Sequence, residues 1–207
     1  MLGITLGIGK GWDIAAKNTA IRMHRFTGLK CHAITTWPNN KPLAHPYWAK
    51  LRLQSLFPGE DLLFFDADLL CQNPWDPKQL LEDSDFCWCI DPHHTIKTEC
   101  NNQNLDAAIY GNTGLMIIRS GCDIWRRTQT LNLNCGRWPE QTAINLTVQN
   151  GDYAVTLLPS TYNYQIRKHQ HTHAFNGKFN NQINLHFLGL GGSIKTLLQI
   201  QERLPCG

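Results

Sequence analysis

The sequence predicts an α/β fold, a doubly wound and mostly parallel sheet flanked by helices and built as a single domain, and three observations predict it. Short apolar runs of β-branched character alternate with segments of helical period, which is the signature of successive βαβ units. The length of 207 residues suits one core of this class and leaves little room for a second. One run, "DLLFFDADLL" at 61–70, is apolar on both sides of a pair of acids, as a central strand buried on both faces would be.

Taken in order, "GITLGI" at 3–8 reads as the first strand. Trp12 to Thr27 carries Ala16, Ala20 and Met23 at helical spacing and runs into Gly28, a residue suited to a left-handed C-terminal cap. "KCHAIT" at 30–35 is a second strand, and "HPYWAKLRLQSLF" at 45–57 a second helix, with Pro46 in its first turn and Pro58-Gly59 beyond its end. After the run at 61–70 come a short helix at 77–83, strands "DFCWCI" and "GLMIIR", and helices at 121–133 and 139–149. "YAVTLLP" and "INLHFLG" are later strands, and a helix near 193–203 closes the order. Ser160 to Asn184 is polar, rich in histidine and without period, and is expected to be a long loop of the kind that carries function or motion.

With 42% hydrophobic and 17% charged residues, the composition is that of an ordinary soluble globular protein. A net charge of +3, with no Lys/Arg block longer than a pair, argues against wholesale nucleic-acid binding and suits a small anionic ligand. No apolar run approaches the roughly eighteen residues of a membrane span. "MLGITLGIGKG" lacks the basic start and long apolar centre of a signal peptide, so a cytoplasmic location is the expectation. The eight cysteines are expected to be mostly buried free thiols. Cys87, Cys89, His93 or His94 and Cys100 could ligate zinc, but their spacing is irregular and the first two share one face of a strand. "GIGKG" lacks the full dinucleotide fingerprint, with no acidic residue about twenty positions later at a strand end.

Ligands of open α/β sheets bind just beyond the carboxyl ends of the strands, which is where Asp66 and Asp68 are expected to emerge. Period-2 alternation sends both carboxylates to one side, with Ala67 pointing away. Two carboxylates facing one small volume repel each other, and a divalent cation removes the conflict. Hard oxygen donors favour Mg²⁺ or Mn²⁺, ions that bridge carboxylates to nucleotide phosphates. The alternative is a strand-ending polar pair that merely caps the next turn.

At these residues the sequence resembles a known family. "FFDADLL" is similar to the D-x-D strand of the GT-A-fold glycosyltransferases, and six further motifs in the family's order resemble the glycogenin-like retaining enzymes of glycosyltransferase family 8. They are "ITLGIGKGW", "YWAKLRL", "GNTGLMIIR", "EQTAIN" and "LPSTYNYQ" followed by "LHFLG", and together they span nearly the whole chain. The resemblance implies transfer of a hexose from a nucleoside-diphosphate sugar, UDP-glucose or UDP-galactose, to a hydroxyl of a glycan or other acceptor. It implies a Mn²⁺ or Mg²⁺ site of Asp66, Asp68 and His186, the nitrogen donor tilting the preference to Mn²⁺.

The same resemblance implies roles for further positions. Lys50, sixteen positions before Asp66, would contact phosphate, although a solvated helix face reads nearly as well. Trp12 would stack on the base, with Leu6 and Ile8 beside it, unless Trp12 is simply a core residue of the first helix. Ala67 would lie with its flanking acids along the donor. Asn112 and Thr113 would lie near the sugar or acceptor, and Gly114 would admit a close approach. Gln141 would stabilise the anomeric centre and Glu140 orient an acceptor; a charge there can also just complement the helix dipole. Gly189 would close the site after His186. The pattern departs where a phosphate-binding lysine is expected six positions past His186: Gly192 stands there, and Lys195 is the nearest lysine.

Three readings of "RKHQHTH" stay open: a metal site formed by His169, His171 and His173 on one face of an extended segment, a basic rim or lid over the diphosphate, or a solvated loop. Two rival functions stay open as well, a sugar nucleotidyltransferase and a non-catalytic nucleotide-sugar-binding domain. The oligomeric state is not fixed by any of these residues.

Overall fold

A computed structural model describes residues 1–38, 46–93, 95–131, 139–188 and 193–204. Six strands form the central sheet: β1 (Leu2–Leu6), β2 (Cys31–Ile34), β3 (Leu62–Phe65), β5 (Phe86–Ile90), β6 (Gly111–Ile118) and β7 (Val155–Leu158). Their order is β2-β1-β3-β6-β5-β7. β1 runs parallel to β2 and β3, and β5 parallel to β7, while β6 runs against both of its neighbours. A second sheet, β4 (Leu69–Cys71), β9 (Asn184–Phe187) and β8 (Tyr164–Ile166), lies in the order β4-β9-β8.

The continuous apolar strands are buried on both faces. Leu62 and Phe64 of β3 join Met116 and Ile118 of β6 in one cluster with Trp125 and Ile144, while Leu63, Phe65, Leu115 and Ile117 join Met23 and Leu29 in the other. Helices α5 (Ile124–Thr130) and α6 (Pro139–Gln149) cover the first face, and α1 (Trp12–Thr27) covers the second. Each fully buried Leu, Ile or Phe contributes on the order of 1.5–3 kcal/mol, which sets the register of the inner strands firmly. α1 ends as its sequence requires: Gly28 adopts φ 70° and donates its N–H to His24 O.

Several expected elements change shape. The run at 61–70 is two strands in two sheets, β3 and β4, with a turn at the acids between them. The second helix is a 3₁₀ segment over Pro46–Arg52 followed by one α turn, α2 (Leu53–Leu56). α3 (Pro77–Leu81) is short and capped by Asp76, whose side chain accepts from Lys78 N–H. α4 (Ile96–Gln103) was not expected, because its polar sequence shows no apolar stripe.

Ser160 to Asn184 is ordered, not a long loop. It carries 3₁₀ turns at Ser160–Asn163 and Lys168–Gln170, β8, and α7 (His171–Phe175). Side-chain amides of Gln72 and Asn73 hydrogen-bond to the carbonyls of Phe179, Asn180 and Gln182 and tie the segment to β4. α8 (Ile194–Arg203) starts at Ser193, which caps Thr196 N–H, and packs Leu197 and Ile200 beside α1.

Candidate active site

Three parallel strands and the reversed β6 deliver polar side chains to one edge of the central sheet. β3 ends at Phe65 and hands on to Asp66, whose N–H donates to Gly114 O at 2.8 Å. Leu69 N–H returns to Asp66 O at 3.0 Å and closes a tight turn. Thr19 on α1 pins that turn, its hydroxyl donating to Ala67 O at 2.7 Å. Asp66 and Asp68 therefore converge because a turn folds them together, not because a strand alternates. Ala67 is buried with its carbonyl on α1, away from the carboxylates.

His186 reaches the same place through the second sheet. Leu69 at the start of β4 pairs with His186 in β9, and Phe187 N–H donates to Asp68 O at 3.0 Å. The imidazole Nε2 lies 3.3 Å from Asp68 Oδ1 and 3.9 Å from Asp66 Oδ2. One donor atom from each of Asp66, Asp68 and His186 falls within 4.8 Å of the others, the group of this kind found among the described residues. Gly114 makes room for the ring: a Cβ there would overlap His186 Cε1 and stand 2.8 Å from Nδ1. Two carboxylate oxygens and one imidazole nitrogen are a donor set that fits a small divalent cation. Burial alone would lower the His186 pKa, but the Asp68 and Asp66 carboxylates outweigh it and hold the ring above its usual value.

Lys50 is not on a solvated face. It is 3% exposed, with Nζ 3.5 Å from Asp66 Oδ1, 3.2 Å from Glu140 Oε1 and 3.5 Å from Thr113 O. The ammonium also lies 5.0 Å from the Phe64 ring centroid. Burial works against its charge, yet Asp66 and Glu140 outweigh burial and raise the pKa. Burial pushes the Glu140 carboxyl up to about 7, although Lys50 pulls the other way. Glu140 faces Lys50 and, at 3.4 Å, Thr113 Oγ1, so in this arrangement it braces the lysine and does not present itself to an acceptor.

A buried amide network continues the site. Gln141 Oε1 accepts from Thr113 N–H at 3.1 Å and Asn112 Nδ2 at 3.2 Å, and Gln141 Nε2 donates to Asp91 Oδ2 at 2.9 Å. Asn112 Nδ2 also donates to Asp91 Oδ2 at 3.0 Å. Asn163 stands between Asn112 and His186, donating to Asn112 Oδ1 at 2.8 Å and holding His186 Nδ1 at 2.9 Å. Asp91 is absent from the sequence-based reading, and Asn163 enters it only within the motif "LPSTYNYQ", with no role of its own. Asp91 follows an apolar strand just as Asp66 does, so the same signal was present at "FCWCID".

No family model matches the sequence, and no curated protein matches it. Solved structures do match. The galactosyltransferase LgtC, in complex with donor and acceptor sugar analogues, superposes with a TM-score of 0.60 at 11% identity over 98% of this chain and 95% of its own. A glycosyltransferase involved in glycosylation of the major capsid of PBCV-1 gives 0.59 at 13% identity over 98% of both chains. The glycosyltransferase GlyE of Streptococcus pneumoniae TIGR4 gives 0.62 at 12% identity over 97% of this chain and 59% of its own. The fold is the GT-A fold. The doubly wound sheet expected from the sequence is therefore observed, with its reversed strand β6 carrying Asn112 and Thr113 to the edge where Asp66 and Asp68 lie.

Asp66, Asp68, His186, Lys50, Asn112, Thr113, Glu140 and Gln141 thus meet in one place. Leu6 and Ile8 are half-buried at the end of β1, on the same sheet edge. Trp12 opens α1 and packs partly against the cluster of Ala15, Leu197 and Ile200, which favours the core reading of that residue. Lys195 is exposed in the first turn of α8. Gly189, Gly192 and His94 lie outside the described residues.

Among the described residues the zinc alternative does not form. Cys87 Sγ faces Leu80 O and Cys89 Sγ faces Pro159 O, and burial pushes their pKa values up to about 11 and about 12, against thiolate formation. Cys100 belongs to a separate cluster with Ile96 and Tyr110. The histidine tract is helical, so its alternate members do not share a face. His171 is buried, stacks edge-on against Phe187 at 5.4 Å and has its pKa lowered by burial, whereas His169 and His173 are exposed.

Proposed function

We propose that the chain is a metal-dependent glycosyltransferase that passes a hexose from a UDP-sugar, UDP-glucose or UDP-galactose, to a hydroxyl of a glycan or other acceptor with retention at the anomeric carbon. The observation that carries this reading is the convergence of Asp66, Asp68 and His186 beside a buried lysine at the ligand-binding edge of a GT-A sheet. A Mn²⁺ or Mg²⁺ ion held by those three side chains would supply positive charge against the diphosphate as it departs.

The remaining roles belong to the chain's own residues. Lys50 keeps a fixed ammonium within 3.5 Å of Asp66, where it adds to the field that attracts an anionic donor. Glu140 orients that ammonium from behind. The amides of Asn112 and Gln141, locked by Asp91 and by Thr113 N–H, form a pre-set polar wall for the sugar. A same-face displacement needs no strong protein base, and the wall offers amides and not a free carboxylate.

Thermal unfolding in the presence of UDP, GDP and their common sugars, with and without Mn²⁺, tests the proposal. Stabilisation by a uridine nucleotide that needs the metal is expected, together with release of UDP on adding acceptor. Asp68→Ala removes that dependence. Metal-independent binding of any nucleotide, or pyrophosphate release in place of UDP, refutes it.

A further inference from the structure

We infer that Asn163 is a positioning residue that fixes the tautomer of His186, keeping the proton on Nδ1 and leaving the Nε2 lone pair for a cation shared with Asp66 and Asp68. The inference deepens the metal-site reading above, but its core statement concerns a hydrogen-bond chain within the protein alone.

The chain of constraint starts at groups whose character cannot change. Gly114 N–H is a backbone donor and lies 2.9 Å from one atom of the Asn112 amide, so that atom is the oxygen. The other atom of the same amide faces Asp91 Oδ2 at 3.0 Å, an acceptor, and so is the nitrogen. Two independent partners therefore set one orientation of Asn112. Asn163 meets Asn112 Oδ1 at 2.8 Å and must present its NH₂ there. Its carbonyl oxygen is left facing His186 Nδ1 at 2.9 Å, and an oxygen without hydrogen requires Nδ1–H opposite. Nε2, 3.3 Å from Asp68 Oδ1, is then the nitrogen without a proton in the neutral ring.

The relay is also held rigidly. Asn112, Asn163 and His186 are each at most 7% exposed, so water does not compete for these atoms. Asn163 closes the 3₁₀ turn Ser160–Asn163, which is tied to β9 on both sides by Ile183 N–H to Thr161 O at 2.9 Å and Asn184 Nδ2 to Tyr162 O at 2.8 Å. The residue after next, Gln165, pairs in register with His186 and reaches Asp91 Oδ1 at 3.4 Å. The second sheet thus carries both the metal-facing imidazole and the amide that orients it.

The test is ¹⁵N-histidine NMR on the metal-free full chain, at a pH where the ring is neutral, with His186 assigned from the signal missing in His186→Gln. The Nδ1–H tautomer is expected in the wild type, against the Nε2–H form that free histidine prefers. Asn163→Ala is expected to move the ring toward Nε2–H and to weaken Mn²⁺ binding, read by electron paramagnetic resonance titration, about 10–100-fold. Asn163→Asp keeps an acceptor opposite Nδ1–H but sets an oxygen in place of the NH₂ that meets Asn112 Oδ1, so it is expected to hold the Nδ1–H tautomer although it disturbs the network as alanine does, which a purely structural role for Asn163 would not do. An Nε2–H wild type, or an Asn163→Ala protein that keeps Nδ1–H, overturns the inference. Absence of Mn²⁺ binding in the wild type refutes the metal site instead, and the tautomer result stands apart from it.

Discussion

Replacing Gly114 with alanine adds one methyl group at the point where β6 passes under the His186 ring. The backbone there is not in the left-handed region, so alanine brings no conformational strain, and the effect is one of space alone. The new Cβ would overlap His186 Cε1 and stand 2.8 Å from its Nδ1 and 2.9 Å from Asn112 Oδ1. Neither neighbour is a loose chain end: the ring sits in β9, 4% exposed, and the amide is held by Gly114, Asp91, Gln141 and Asn163. Overpacking of this kind costs about 1–3 kcal/mol of stability. For a chain of this size that is a fall in Tm of about 2–4 °C for each kcal/mol. A ring pushed outward also loses its 2.9 Å bond to Asn163 and its approach to Asp68, and loss of such support lowers metal affinity about 10–100-fold. Thermal unfolding and Mn²⁺ titration of Gly114→Ala measure both. A variant with unchanged Tm and unchanged Mn²⁺ affinity refutes the claim that this glycine exists to seat the imidazole.

Further outcomes follow from the buried charges. Lys50→Met leaves Glu140 and Asp66 without their cation and is expected to cost about 3–5 kcal/mol in chemical denaturation, whereas Lys50→Met with Glu140→Gln costs less than Lys50→Met alone. A double variant as unstable as the single one would show that the pair is not coupled. His186 has a raised pKa in the fold, so its contribution to metal-free stability is fully present below its unfolded value near 6.5. That contribution is lost as pH rises through the higher folded value. Mn²⁺ competes with that proton, so Mn²⁺ affinity should rise over the same window, and a pH-independent affinity would remove His186 from the site. Glu140, raised to about 7, holds its proton longer in the folded state, so its share of stability declines between roughly pH 4.5 and 7 and Glu140→Gln should flatten that part of the profile.

What the sequence reveals and conceals follows from the range of each interaction. Apolar runs such as "LLFF" and "LMII" declare strands buried on both faces, because alternate residues have nowhere polar to point. The acids that follow such a run stand at a sheet edge, which made Asp66 and Asp68 legible and should have made Asp91 so. The reason for their convergence was not legible: it lies in a hydroxyl of Thr19 on a distant helix and in a turn that ends one sheet and starts another. The three-residue strands β4 and β8 exist only through pairing with β9, so their local propensity says little. Asn163 and Glu140 lie in the quoted motifs, but their partners, His186 and Lys50, are far away in sequence, so which group each one holds is visible only in the fold.

The placement of the acidic turn has a mechanical side. Asp66 follows a strand of the large sheet, while Asp68 leads into β4 and His186 sits in β9 of the small one, and a single residue, Ala67, separates the two acids. An ion gripped from both sides would act as a rivet across that seam, resisting any sliding of the small layer over the large one.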